Sequence, residues 1–137
     1  MRVMFDTNVL LDIFEKRSGH SETASVCVNR VLAGVLEGFV PAHTVTTLAY
    51  FFERPTSSIT PHSGVAWIVD HFSVSACDAE ILRCALQSQV TDFEDAVVEQ
   101  CALRSQCDYI LTRNLRDFSK STVPAILPAT FRTTHIG

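Results

Sequence analysis

The apolar positions of this chain come in short blocks, and changes in their spacing mark out its elements. Met1–Phe5 is apolar apart from Arg2 and carries the β-branched Val3, as buried parallel strands tend to. The run stops at Asp6, where Thr7 or Asn8 can cap a helix reaching about Lys16. After the polar break Arg17–Ser21, Val26, Val28, Val31, Leu32, Val35 and Leu36 recur at helical spacing, with Ser21 as cap and Gly38 as the expected stop. Phe39–Pro41 predicts a second strand that its proline ends. Helical spacing resumes from Ala42 to Glu53, with Leu48, Phe51 and Phe52 on one side. Beyond the loop Arg54–Ser58, Thr60 caps a helix with Pro61 at its first position, running to about His71.

Ser73–Ser75 predicts a brief strand, and Ser75 or Asp78 opens a helix through Leu86. Asp92 opens the next helix, through Leu103. Cys107–Leu111 predicts a strand with Thr112–Phe118 as its exit loop. Thr122–Pro128 predicts a last strand, confined to a sheet edge by its prolines. The order is strand–helix–helix three times over, then two strands. That alternation argues for an α/β sandwich around a mainly parallel sheet.

Composition narrows the class. A length of 137 residues suits one domain, residues 1–137, with a real core. Hydrophobic residues make up 47% and charged ones 19%, as in globular rather than disordered chains. No apolar run reaches the roughly 18 residues of a membrane helix. Asp6 and Asp12 interrupt the only N-terminal run that could be a signal peptide, so a cytoplasmic location is expected. The cysteines (Cys27, Cys77, Cys84, Cys101 and Cys107) are odd in number and irregular in spacing, which reads as small buried side chains in a reducing compartment. The histidines form no zinc spacing with them. A net charge of −4 argues against non-specific nucleic-acid binding and is compatible with carboxylates that hold a cation.

Ligands of open parallel sheets bind outside the carboxyl ends of the strands, where Asp6 stands. Two further acidic places follow: Asp92/Glu94/Asp95, and Asp117 beside Asn114. Asp92, Asp95 and Glu99 share one helical face, while Glu94 points to another side and reads as solvated. Parallel strands ending side by side would bring Asp6 to the Thr112–Asp117 loop. Carboxylates about 4 Å apart repel by roughly 4 kcal/mol per pair at an effective dielectric near 20, so such a cluster needs protons or a cation. Hard oxygen ligands without cysteine or histidine suit Mg²⁺ or Mn²⁺, whose natural chemistry here is phosphodiester hydrolysis. Each residue alone has a plainer explanation. Asp6 and Asp92 are good helix caps, Glu94 and Asp95 favour the helix dipole, and Asn114 and Asp117 suit a turn. Glu99 reads as a solvated or ion-paired charge and Asp12 as a solvated one.

The opening V-M-F-D-T-N-V-L-L-D resembles the first motif of the PIN-domain nucleases, which include the VapC-type toxins of bacterial toxin–antitoxin pairs. The run D-F-E-D-A-V-V-E-Q-C-A-L-R-S-Q-C-D-Y-I-L-T-R-N-L-R-D-F resembles their third and fourth motifs. The resemblance covers nearly the whole chain and implies a PIN-like three-layer α/β/α sandwich. It implies an endoribonuclease that uses Mg²⁺ or Mn²⁺, with RNA as substrate, an antitoxin protein as partner and a homodimer as the common assembly. Asp6 matches the first acidic position and Asp95 the third, with Asp92 as a nearby acid often present. Asn114 stands where many members have aspartate; Asp117 is the nearest carboxylate to take that role, and Thr112 would line the site. Metal ligands by resemblance are thus Asp6, Asp95, Asp117 and Asp92.

One motif departs. The family's second motif places a glutamate where this chain has Thr47, and Glu53 lies too far along the helix to replace it. His43 or the Thr46 and Thr47 hydroxyls are the groups left to line the pocket. With Thr47 and Asn114 neutral, the alternative is a weakened or inactive PIN-fold module that binds RNA or a protein. Arg104, Arg113, Arg116 and Lys120 lie near the last motif as candidates for phosphate contact. A phosphoryl-transfer enzyme with Asp6 as nucleophile fits less well. Haloacid-dehalogenase-like enzymes need a second aspartate at the position of Asn8.

Overall fold

The structure is a computed structural model that describes residues 1–136. Among these, the strands β1 (Arg2–Phe5), β2 (Glu37–Pro41), β3 (Ser73–Ser75), β4 (Tyr109–Leu111) and β5 (Ala125–Ile126) form one sheet. Its order is β3-β2-β1-β4-β5, and every neighbouring pair is parallel. Val3 stands opposite Gly38 on one side and Tyr109 on the other. Helices α1 (Thr7–Phe14) and α2 (Ser21–Leu32) link β1 to β2. Helices α3 (Ala42–Phe52) and α4 (Pro61–His71) link β2 to β3, and α5 (Ala79–Leu86) and α6 (Phe93–Arg104) link β3 to β4. A short α7 (Pro128–Phe131) runs into a π-helical turn over Arg132–Ile136.

The strands alternate their side chains between two cores, as the period of 2 requires. Val3, Phe5, Val40 and Leu111 join α1 to α4 and α7 through Leu10, Cys27, Leu48, Ile68 and Phe131. Met4, Phe39 and Ile110 join α5 and α6 on the other face through Ile81, Val98 and Cys101. Both faces are covered, so the inner part of the sheet is apolar from Val3 to Phe5, Phe39 to Pro41 and Ile110 to Leu111, while Arg2, Glu37 and the serines of β3 sit at strand starts and the sheet edge. The result is the expected three-layer α/β fold. No helix among the described residues is long and apolar enough to cross a membrane.

The element order follows the apolar pattern, and the differences lie at element ends. Asp6 itself caps α1, accepting from the Thr7 backbone N–H, where Thr7 or Asn8 was expected to be the cap. His20, not Ser21, precedes α2, and Met1 lies outside β1 with half its surface exposed. Helix α2 stops at Leu32 and turns at Gly34, whose φ of +76° favours glycine; Gly38, the expected stop, lies inside β2. A Cβ on Gly38 would approach Val31 and Phe72 to 2.9 Å, so that glycine serves packing rather than a turn. The last strand is only Ala125–Ile126. Pro128 opens α7 instead of ending an edge strand, because its fixed φ and missing N–H suit the first turn of a helix equally well. The cysteines are free thiols.

Candidate metal centre

Strands proceed outward from β1 in one direction to β2 and β3 and in the other to β4 and β5. The order therefore reverses between β1 and β4, and a crevice opens at their carboxyl ends. Asp6 leaves β1 there, tied to β4 by its own backbone N–H to the Leu111 carbonyl at 3.0 Å. Its carboxylate is 3% exposed. One oxygen accepts from the Thr7 N–H at 2.9 Å, and the other accepts from the Thr112 hydroxyl at 2.8 Å and the Asn8 amide at 3.3 Å. Thr112 is itself buried at the end of β4 and accepts from the Asn114 N–H.

The N-terminus of α6 meets this carboxylate from the side. Asp92 caps the helix by accepting from the Asp95 N–H at 3.1 Å, and Glu94 and Asp95 occupy its first turn, where the dipole favours negative charge. Asp6, Glu94 and Asp95 each bring a carboxylate oxygen to within 4.8 Å of the other two. Among the described residues no lysine or arginine pairs with any of them; the one cationic neighbour is His43, whose Nε2 lies 2.7 Å from Glu94. Burial raises the Asp6 pKa to about 6, with the Thr112 bond opposing and the Glu94 charge adding. Burial raises that of Asp95 to about 7, reinforced by the charges of Asp6, Glu94, Asp92 and Asp117. His43 moves the other way. Burial alone would discharge it, but its bonds to Glu94 and Cys77 lift it to about 9.

Two buried carboxylates held partly protonated near neutrality, with a third at hydrogen-bond reach of a histidine, form an electrostatically unfavourable group that a cation would relieve. The donor set is all hard oxygen, which fits Mg²⁺ or Mn²⁺ better than zinc or copper, whose sites favour nitrogen and sulfur. The chemistry of the donors therefore agrees with a hard divalent ion held by Asp6, Glu94 and Asp95.

The cluster differs from the ligand set read from the sequence. Asp6, Asp95 and Thr112 come together as expected. Asp117 and Asp92 do not join the three carboxylates: Asp117 is exposed and acts on Asp95 only through its charge, and the Asp92 side chain is occupied as a cap. Asn114 is exposed in the turn, its carbonyl accepting from the Asp117 N–H. Glu94, read as a solvated charge on another side, is in the cluster instead. Helical-face arguments weaken in a first turn, where a long side chain can reach over the helix end. Thr47 is exposed, with its hydroxyl bonded back to the His43 carbonyl at 3.0 Å, and Thr46 bonds the same oxygen.

Three further readings change. Asp12 is not solvated but 1% exposed, accepting from Arg113 at 2.6 and 3.0 Å with Arg17 at 3.5 Å. Glu99 is neither solvated nor ion-paired. It is 1% exposed and accepts from the Ser88 hydroxyl, from the Thr122 N–H at 2.8 Å and from Gln100, bonds that hold its pKa below the usual range despite burial. Of the basic candidates, Arg113 is committed to Asp12 and Arg104 pairs with Asp78 and Glu80. Arg116 and Lys120 line a cleft of about 220 Å³ beside Asp92 and Asp117.

No curated protein matches the chain. Among solved structures it is similar to that of VapBC2 from Rickettsia felis bound to a DNA fragment from their promoter, at a TM-score of 0.71 and 12% identity, covering 93% of this chain and 98% of that one. It is similar to FitAB bound to the IR36 DNA fragment at 0.67 and 13%, covering 92% and 94%, and to FitAcB from Neisseria gonorrhoeae at 0.65 and 13%, covering 93% and 98%. Identities this low show a shared fold. The family model described as PIN domain matches residues 2–116, from the strand that leads into Asp6 through the loop that bonds it, and on that match the chain belongs to the PIN-domain family.

Proposed function

We propose that this protein is a divalent-metal-dependent endoribonuclease, a VapC-type toxin whose activity an antitoxin protein restrains. The observation that carries the reading is the convergence of Asp6, Glu94 and Asp95 at the switch point of the sheet, with no lysine or arginine among the described residues to balance them. Asp6 and Asp95 are the fixed ligands, short and buried; Glu94 is the third. A bound Mg²⁺ or Mn²⁺ supplies Lewis-acid polarisation of the phosphate and a more acidic attacking water. Thr112 and Asn8 keep the Asp6 carboxylate turned toward the crevice. Arg116 and Lys120, free of ion pairs among the described residues, meet the RNA backbone along the neighbouring cleft, which Asp117 borders, and Asn114 and Thr112 stand in the loop between that cleft and Asp6. The protein is read as one nuclease domain, and the partner is proposed from the fold shared with the VapBC2 and FitAB structures.

Replacement of Asp6 or Asp95 by asparagine is expected to abolish Mn²⁺-dependent cleavage of RNA; unchanged cutting by both variants would mean that the centre lies elsewhere. A second reading has its own support. Thr47 and Asn114 carry no charge where the family pattern has acids, which fits a non-catalytic module that binds RNA or protein. Absence of Mn²⁺ binding to the parent protein at millimolar metal would favour it.

A further inference from the structure

Helix α3 gives the centre no carboxylate, yet it reaches the centre through His43. We infer that His43 is a positioning residue that holds Glu94 as a metal ligand in place of the acid that α3 lacks at Thr47, an inference that rests on the metal-dependent reading above.

Asp6 and Asp95 need no such help, because they are short and buried. Glu94 has a longer side chain that is half exposed, and such a chain samples many rotamers unless something fixes it. The His43 Nε2 lies 2.7 Å from Glu94 Oε2, and among the described residues Oε1 has no hydrogen-bond partner, so one oxygen is left for a cation. The ring is held from its other edge, with Nδ1 3.4 Å from the Cys77 Sγ. An ionised Glu94 carboxylate can only accept, so Nε2 is the nitrogen that carries a proton toward it, and Nδ1 accepts from the thiol in the neutral ring or donates to the sulfur in the imidazolium. Cys77 in turn lies 3.5 Å from Cys101, which belongs to α6, the helix that bears Glu94. The support therefore closes on the same element it serves. The backbone of His43 is pinned as well, its carbonyl accepting from Thr46 at 2.8 Å and from Thr47 at 3.0 Å. Thr47 acts on the site at one remove, by fixing the residue that fixes the ligand. A carboxylate bonded through one oxygen to a protein donor and offering the other to a metal is the usual outer support of a metal site.

The test is calorimetric titration of Mn²⁺ into the full chain, alongside melting of the metal-free proteins to confirm folding. His43→Ala is expected to weaken Mn²⁺ binding on the order of tenfold, the lower end of the effect of losing such support. His43→Gln, which keeps an N–H donor, should recover most of the loss and guards against a folding defect in the alanine variant. Glu94→Gln should weaken binding too. In that background His43→Ala should cost nothing further, because a residue that acts only through Glu94 has nothing left to position. Equal affinity of His43→Ala and parent, or the same tenfold loss with Glu94 already replaced, overturns the positioning role while the metal-dependent reading stands. A parent protein that binds no Mn²⁺ overturns both.

Discussion

Asp6 and Asp12 lie at the two ends of one path along α1, both almost wholly buried, and consecutive residues of the loop after β4 touch them. Their surroundings are opposite. Arg113 grips Asp12 through two nitrogens and Arg17 stands behind it, so its charge is balanced within the protein. Thr112 gives Asp6 one neutral hydroxyl, and the charges around it are the acids of α6, with His43 the only cationic group among the described residues that acts on it. Burial alone does not separate a structural carboxylate from one poised for a ligand; the balance of charge around it does.

The comparison breaks most visibly on activity. Asp6→Asn should reduce Mn²⁺-dependent RNA cleavage on the order of 10³-fold, about 4 kcal/mol of barrier, whereas Asp12→Asn should cut within a few-fold of the parent while folded. Similar losses from both would erase the distinction. Stability should then divide the pair in the opposite sense. Asp12→Asn leaves arginines without their buried partner and should lower the free energy of unfolding in urea by about 3 kcal/mol. Asp6→Asn in metal-free buffer should raise it by about 1 kcal/mol, since it relieves repulsion. A fall in both would mean that Asp6 is balanced too.

The dependence on pH sharpens the point. Asp6 at about 6 and Asp95 at about 7 bind protons more tightly folded than unfolded, where 3.8 is ordinary. Each therefore withdraws stability as pH rises from about 4 through its folded value. His43, at about 9 against 6.5, contributes stability that is complete below 6.5 and lost as pH climbs through 9. All three slopes have the same sign, so the metal-free protein should melt higher near pH 5 than near pH 8, and saturating Mn²⁺ should shrink the difference. A melting temperature that climbs toward pH 8 without metal would contradict the repulsion. The smallest effect expected is that of Thr112→Val. It removes one hydroxyl donor from Asp6 and should weaken Mn²⁺ binding about five-fold, roughly 1 kcal/mol, in the same titration.

The parts of this arrangement that local chemistry controls were legible in the sequence. The caps Thr60, Asp78 and Asp92 act within three residues, and each opens the helix expected of it. The alternation of elements gave a parallel sheet in which strands ending side by side would bring Asp6 to the Thr112–Asp117 loop, and β1 does lie beside β4 with Thr112 on Asp6. What was not legible depends on partners far along the chain. Nothing near Asp12 announces an arginine 101 residues away, and nothing near Glu94 announces a histidine 51 residues before it. Helix α6 adds a second reason. It is buried on most sides, from Asp95 to Glu99 and again at Cys101 and Ala102, so periodicity offers no polar face to read and Glu99 could not be told from a surface charge.

The central place of β1 also sets when the carboxylate centre can be completed. Chains grow at about 5–20 residues per second, so Asp6 is made about 5–20 s before the Thr112 that bonds it. Asp6, Glu94 and Asp95 all precede β4, the strand that borders β1 on the site's far side. A growing chain thus contains every acid of the centre before it has the strand that shapes the crevice. On the metal-dependent reading proposed above, cleavage would arise late in synthesis, after an interval in which the proposed antitoxin could already be present.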